Sequence, residues 1–137
     1  MPIHSYLMTS PIYARPGNRG KLYGLKSWSK KHVPAMLYNI PSRAGINLHA
    51  ETVHNLSDLE KLWAIKDSSG TVGTLAQYKK VAPNIEVFCG DDNSIPDMTA
   101  KDAAGLHSQH SQKYNINDKF FYKYDVRHDI DVIVYAK

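Results

Sequence analysis

Short apolar runs alternate with longer amphipathic stretches along this chain. Tyr6 to Thr9, Ala35 to Asn39, Leu62 to Lys66 and Ile85 to Cys89 each stop at turn-forming or polar residues, which predicts four strands. Helical periodicity near Arg19 to Lys31, Ala50 to Leu56, Thr71 to Val81 and Ile95 to Ala100 predicts a helix after each strand. Such alternation calls for an α/β fold with a parallel sheet and right-handed crossovers. The tail is patterned differently. Lys119 to Val126 and Ile130 to Tyr135, separated by Arg127-His128-Asp129, predict an antiparallel β-hairpin. The expected organisation is therefore an α/β unit over residues 1–106 and a divergent tail, linker plus hairpin, over residues 107–137.

Length and charge narrow the classes of function. The 137 residues lie near the commonest domain size. A net charge of +4 leaves a polyanion-binding module as one reading, but the basic residues are scattered. Lys30-Lys31 and Lys79-Lys80 are the only Lys/Arg pairs, and both fall near predicted helix ends, where cations complement the helix dipole. No nucleic-acid partner is expected. The single Cys89 excludes an internal disulfide, and its apolar surroundings predict a buried, unreactive thiol that suits a reducing cytoplasm. No signal-peptide pattern or membrane-spanning run is present, so no membrane partner is expected. His107, His110 and His128 lack an HExxH pattern, a cysteine partner or a carboxylate at ligand spacing, and His107 to Gln112 reads as a solvated linker. Asp91 and Asp92 read as helix caps rather than metal ligands, so neither metal nor cofactor is expected.

Lys66 is the residue with most chemistry. It closes the apolar run Leu62-Trp63-Ala64-Ile65-Lys66-Asp67, just before Ser68-Ser69-Gly70. Burial disfavours an ammonium and leaves more of a lysine as the free amine, which attacks carbonyls to give a Schiff base. The bland alternative is a strand-end lysine with its stem on apolar neighbours and its head in water. A second segment, Pro34 to Gly45, reads as an apolar strand ending in a polar, turn-forming loop that carries Tyr38 and Arg43.

The run Leu37-Tyr38-Asn39-Ile40-Pro41-Ser42-Arg43-Ala44-Gly45, followed by Ala64-Ile65-Lys66-Asp67-Ser68-Ser69-Gly70, resembles the dihydrodipicolinate synthase (4-hydroxy-tetrahydrodipicolinate synthase) branch of the pyruvate-dependent class I aldolases. That family also contains N-acetylneuraminate lyase. Ser10 to Pro16 through Gly20-Lys21-Leu22-Tyr23 upstream, and Phe88-Cys89-Gly90-Asp91-Asp92 downstream, fit the same pattern in the same order. The resemblance covers about residues 5–106 and implies the fourth to seventh βα units of a (β/α)8 barrel, with Ala104 to Leu106 beginning the eighth strand. No counterpart of the family's first three strands, or of its Gly-Thr-Thr-Gly-Glu loop, is found in the sequence. Four such units cannot close, so two exposed strand edges imply a homo-oligomer or self-association unless the tail covers one of them.

The resemblance also assigns roles. Lys66 is similar to the lysine that forms the imine with pyruvate, Tyr38 to the tyrosine that shuttles its protons, and Tyr13 to a relay tyrosine that reaches a neighbouring subunit. Arg43 is similar to the arginine that binds the carboxylate of aspartate semialdehyde, and its presence in Pro41-Ser42-Arg43 points to the synthase rather than the lyase branch. Gly90 matches a position whose backbone lines the substrate pocket, while Ile12 stands where a second tyrosine is usual. Two expectations follow: a lysine-dependent synthase acting on pyruvate and aspartate semialdehyde, or a catalytically incomplete relative that keeps the lysine.

Overall fold

A computed structural model of the chain describes residues 5–10, 16–29, 33–94, 97–98, 100–108 and 132–135. One sheet holds β1 (Tyr6–Thr9), β2 (Ala35–Asn39), β3 (Leu62–Asp67), β4 (Glu86–Cys89), β5 (Gly105–Ser108) and β6 (Val132–Tyr135), in that order across the sheet. The first five strands are parallel, each paired with the next in sequence. Strand β6 runs antiparallel to β5, with Gly105 opposite Tyr135 and Leu106 opposite Val134. It thus occupies an edge that β5 would otherwise leave open. The other half of the expected hairpin, Lys119 to Val126, lies outside the described residues, as do His110 and His128.

Between the strands lie α1 (Asn18–Ser29), the one-turn α2 (Pro41–Ala44), α3 (Ala50–His54), α4 (Val72–Val81) and a 3-10 turn at Asp92–Ser94. Strands β2 and β3 are buried along almost their whole length, as parallel strands covered on both faces are. Alternation sends their side chains to two different surroundings. Leu37, Ile65, Val87 and Cys89 face the helices and pack with Leu25 of α1, Val53 of α3 and Leu75 and Tyr78 of α4. Met36, Ala64 and Phe88 point to the opposite face, where Trp63 packs edge-on against Phe88 at 5.8 Å between ring centroids. Leu75 is fully buried in the larger cluster. Its replacement by alanine is expected to lower the unfolding free energy by roughly 2–5 kcal/mol, to be read from urea denaturation. A change within the scatter of surface substitutions would mean that α4 does not pack on the sheet.

Several expected boundaries move, each for a local reason. Helix α3 ends at His54, not Leu56, because the Leu56 N–H bonds the Val53 carbonyl at 3.0 Å in a tightening turn. Leu56 is nonetheless completely buried, so the periodicity that extended the helix to it was reporting burial. Strand β4 starts one residue after Ile85, whose N–H turns back to the Ala82 carbonyl at 3.1 Å. The loop expected after β2 contains a helical turn that begins at Pro41, where a fixed φ and a missing N–H suit a first helical position. Gly45 ends this turn at φ 67, donating its N–H to the Pro41 carbonyl, and that left-handed backbone is why glycine stands there. After β4 the helical backbone begins earlier than the expected Ile95, as the 3-10 turn; of the expected helix, residues 95, 96 and 99 lie outside the described set.

Candidate active site

Register brings Tyr38 and Lys66 together. Tyr38 on β2 pairs with Lys66 on β3, and Lys66 in turn pairs with Phe88 on β4. Both side chains belong to the strand positions that face away from the helices, beyond Met36 and Ala64. Lys66 is only 4% exposed, and its Nζ stands over the Tyr38 ring, 4.4 Å from the centroid. The face of a phenol ring attracts a cation at this distance, whether an ammonium or an iminium. Gly90, immediately after β4, borders the lysine stem. A Cβ there would stand 2.9 Å from Lys66 Cγ, 3.0 Å from Lys66 Cε and 2.2 Å from Ser68 Oγ. The absence of a side chain at 90 is therefore what leaves room for the lysine. Ser68 Oγ, which borders Gly90 together with the lysine stem, is buried with no hydrogen-bond partner among the described residues.

On the helix side of the same strand ends lies a polar network. Asn39 Nδ2 donates to Asp67 Oδ1 at 2.8 Å, and the Leu48 N–H donates to Asn39 Oδ1 at 2.9 Å. Asp67 also accepts from the Ser69 N–H at 3.2 Å and from the Ser69 hydroxyl at 2.9 Å. Burial pushes the Asp67 carboxyl above its usual range, against the lowering effect of the bonds from Asn39 and Ser69. The Tyr78 hydroxyl of α4 donates to the Leu48 carbonyl, and burial first, then the charge of Asp67, hold this phenol far above the usual tyrosine range.

This is a strand-end site with a buried amine, an aromatic neighbour and no room for a side chain at 90. A family model for the dihydrodipicolinate synthetase family matches residues 2–123. The chain belongs to this family. It is similar to the 4-hydroxy-tetrahydrodipicolinate synthase of Wolbachia pipientis subsp. Culex pipiens (strain wPip), with 76% identity over 109 residues, covering 79% of this chain and 37% of that protein. The Francisella philomiragia 4-hydroxy-tetrahydrodipicolinate synthase is 34% identical over 131 residues, covering 95% of this chain and 44% of that protein. Among solved structures, the dihydrodipicolinate synthase from Bacillus anthracis matches with a TM-score of 0.73 and 30% sequence identity, covering 76% of this chain and 36% of that one. The chain thus spans less than half the length of these relatives. The parallel sheet of this dihydrodipicolinate synthetase family member is accordingly a partial (β/α)8 barrel, and Tyr38, Lys66 and Gly90 lie at the carboxyl ends of its strands, the end where such barrels carry their sites.

Of the residues picked out from sequence in this family member, Tyr38, Lys66 and Gly90 converge. Arg43 lies exposed in the last turn of α2, and among the described residues its guanidinium makes no hydrogen bond or ion pair. Tyr13 lies outside the described residues. Cys89 is a buried thiol that donates to the Asp91 carbonyl at 3.0 Å. A second buried lysine, Lys21 of α1, differs from Lys66: its Nζ donates to the Asn47 carbonyl at 2.6 Å, and burial pulls its ammonium below the usual lysine range. Asn39, Asp67 and Ser68 were missed, because polar residues at a strand's end read as the start of a turn. The one available signal was their position, each next to or near Tyr38 or Lys66.

Proposed function

We propose that this chain carries the imine-forming part of a 4-hydroxy-tetrahydrodipicolinate synthase site, a lyase of the class I aldolase type. The observation that carries the reading is the buried Lys66 amine at a strand's carboxyl end, over the Tyr38 ring. The Nζ adds to the keto carbon of pyruvate and water leaves, giving a protonated imine that the ring face below favours as a cation. Tyr38 passes its hydroxyl proton into the relay as it takes one from the methyl group of the imine, and the resulting enamine attacks the aldehyde carbon of aspartate semialdehyde, whose oxygen takes a proton back from the relay. Arg43, exposed in the turn that follows the Tyr38 strand, holds the carboxylate of that second substrate through a two-pronged contact. Tyr13 extends the proton relay, and Gly90 lines the pocket through its backbone. The buried lone thiol and small water-soluble substrates support a cytoplasmic setting. Among the described residues the sheet ends at β1 on one side and at β6 on the other, which supports self-association of the barrel piece.

Borohydride added with pyruvate is expected to trap one reduced adduct per chain, located on Lys66 by peptide mapping. Lys21 serves as the internal control, since it is buried but engaged by a carbonyl. Lys66→Ala should abolish the adduct. Labelling that persists in that variant, or that falls on Lys21 instead, sinks the assignment.

A further inference from the structure

We propose that Asn39 and Asp67 are positioning residues, a polar clasp on the helix side of the sheet that sets Tyr38 against Lys66 on the other side. Each directly follows one of the pair along its strand, so each points to the opposite face. They are partners in register themselves, and both are almost wholly buried, at 2% and 1% exposure. Their bonds reach beyond the two strands. Through Asn39 Oδ1 the clasp takes in Leu48, and through Asp67 it takes in the Ser69 turn. The backbones of the same residues receive the Ser68 N–H at the Asn39 carbonyl and the Gly90 N–H at the Asp67 carbonyl, both at 2.8 Å. Every segment that contributes to the lysine's surroundings is therefore tied to this pair.

A packing role alone does not account for these residue types. Neighbouring positions on this face are Leu37, Ile65, Val87 and Cys89, and an apolar pair would be expected to pack there at no cost in desolvation. What a directional amide–carboxylate pair adds is a single allowed register. That matters here because the β2–β3 ladder is irregular: the pairing shifts between Ala35 and Met36, so the strands' starts do not dictate how their ends align. A slip of one residue would send Lys66 to the helix face and Asp67 to the site.

The catalytic readout of this inference rests on the proposed imine chemistry, whereas its geometric readout does not. Asp67→Leu leaves Asn39 Nδ2 and the Ser69 N–H without their acceptor. Asp67→Asn keeps the clasp: its amide oxygen in the Oδ1 place accepts from Asn39 Nδ2 and the Ser69 N–H, and its amide nitrogen donates to Ser69 Oγ, whose hydroxyl turns to accept. Two quantities are measured on each folded protein: the rate of borohydride-trapped pyruvate adduct at saturating pyruvate, and the labelling of Lys66 relative to Lys21 by trinitrobenzenesulfonate, mapped by mass. In Asp67→Leu the trapping rate is expected to fall on the order of 10²-fold, as a displacement of about 1 Å at a reacting group produces. The Lys66 to Lys21 labelling ratio should change in the same variant, and both should stay near wild type in Asp67→Asn. Should Asp67→Leu fail to fold, Asp67→Asn decides alone, and wild-type labelling in it supports the clasp. A wild-type labelling ratio in folded Asp67→Leu, or an altered ratio in Asp67→Asn, overturns the inference. Wild-type protein that traps no pyruvate removes the proposed function, and the labelling ratio then decides the clasp.

Discussion

Gly90→Ala is expected to slow pyruvate trapping on Lys66 by roughly ten- to a hundred-fold, because added atoms in a filled site cost about 1–3 kcal/mol. The new Cβ would stand 2.2 Å from Ser68 Oγ and 2.9 Å from Lys66 Cγ, so either the serine turns away or the lysine stem leaves its place over Tyr38. The serine can yield, since its hydroxyl has no hydrogen bond among the described residues to lose. The lysine cannot move without losing its position. Ser68→Ala should therefore restore only part of the rate in the Gly90→Ala background, the remainder being the contact with the lysine stem. Trapping rates for the two single variants and the double variant give the coupling directly. A Gly90→Ala protein that traps pyruvate at the wild-type rate would show that the stem is not held where the structure places it.

Tyr38 contributes a ring and a hydroxyl, and two substitutions separate them. Phenylalanine keeps the ring face under Nζ, so imine trapping should persist, while proton removal from the pyruvate methyl group should slow by about 10²- to 10⁴-fold, the usual contribution of a positioned acid–base group. The measurement is loss of the methyl proton signal of pyruvate in heavy water, followed by nuclear magnetic resonance. Leucine removes the ring as well and should also weaken trapping, by an amount near the roughly 0.5–2 kcal/mol assigned to a cation over an aromatic face. Methyl exchange at an undiminished rate in Tyr38→Phe would leave the hydroxyl without a role.

Much of the architecture was legible in the chain because strand and helix periodicities differ. The bounds of β1 and β2 agree with the apolar runs read from sequence, and β3 only adds Asp67. Lys66 could be picked out because its apolar run stops at turn residues, whereas Gly90 was reached only through the family resemblance and is explained by the space that the lysine stem occupies. Helix α2 was missed because one turn is too short to show a period, and its only signals are Pro41 at the start and Gly45 at the end.

Which residues would carry charge, which would be apolar, and that strands and helices would alternate are properties of the sequence alone, since each depends on neighbours within a few positions. That Nζ of Lys66 stands over the ring of Tyr38, a residue from the preceding strand, depends on the alignment of two strands whose ladder shifts part-way along. Such an alignment is fixed by contacts between distant segments: Asn39 with Asp67, Leu48 with Asn39, Gly90 with Asp67. Local pattern carries no information about these pairings, because the free energy that selects them is released only when the strand ends meet in the folded sheet.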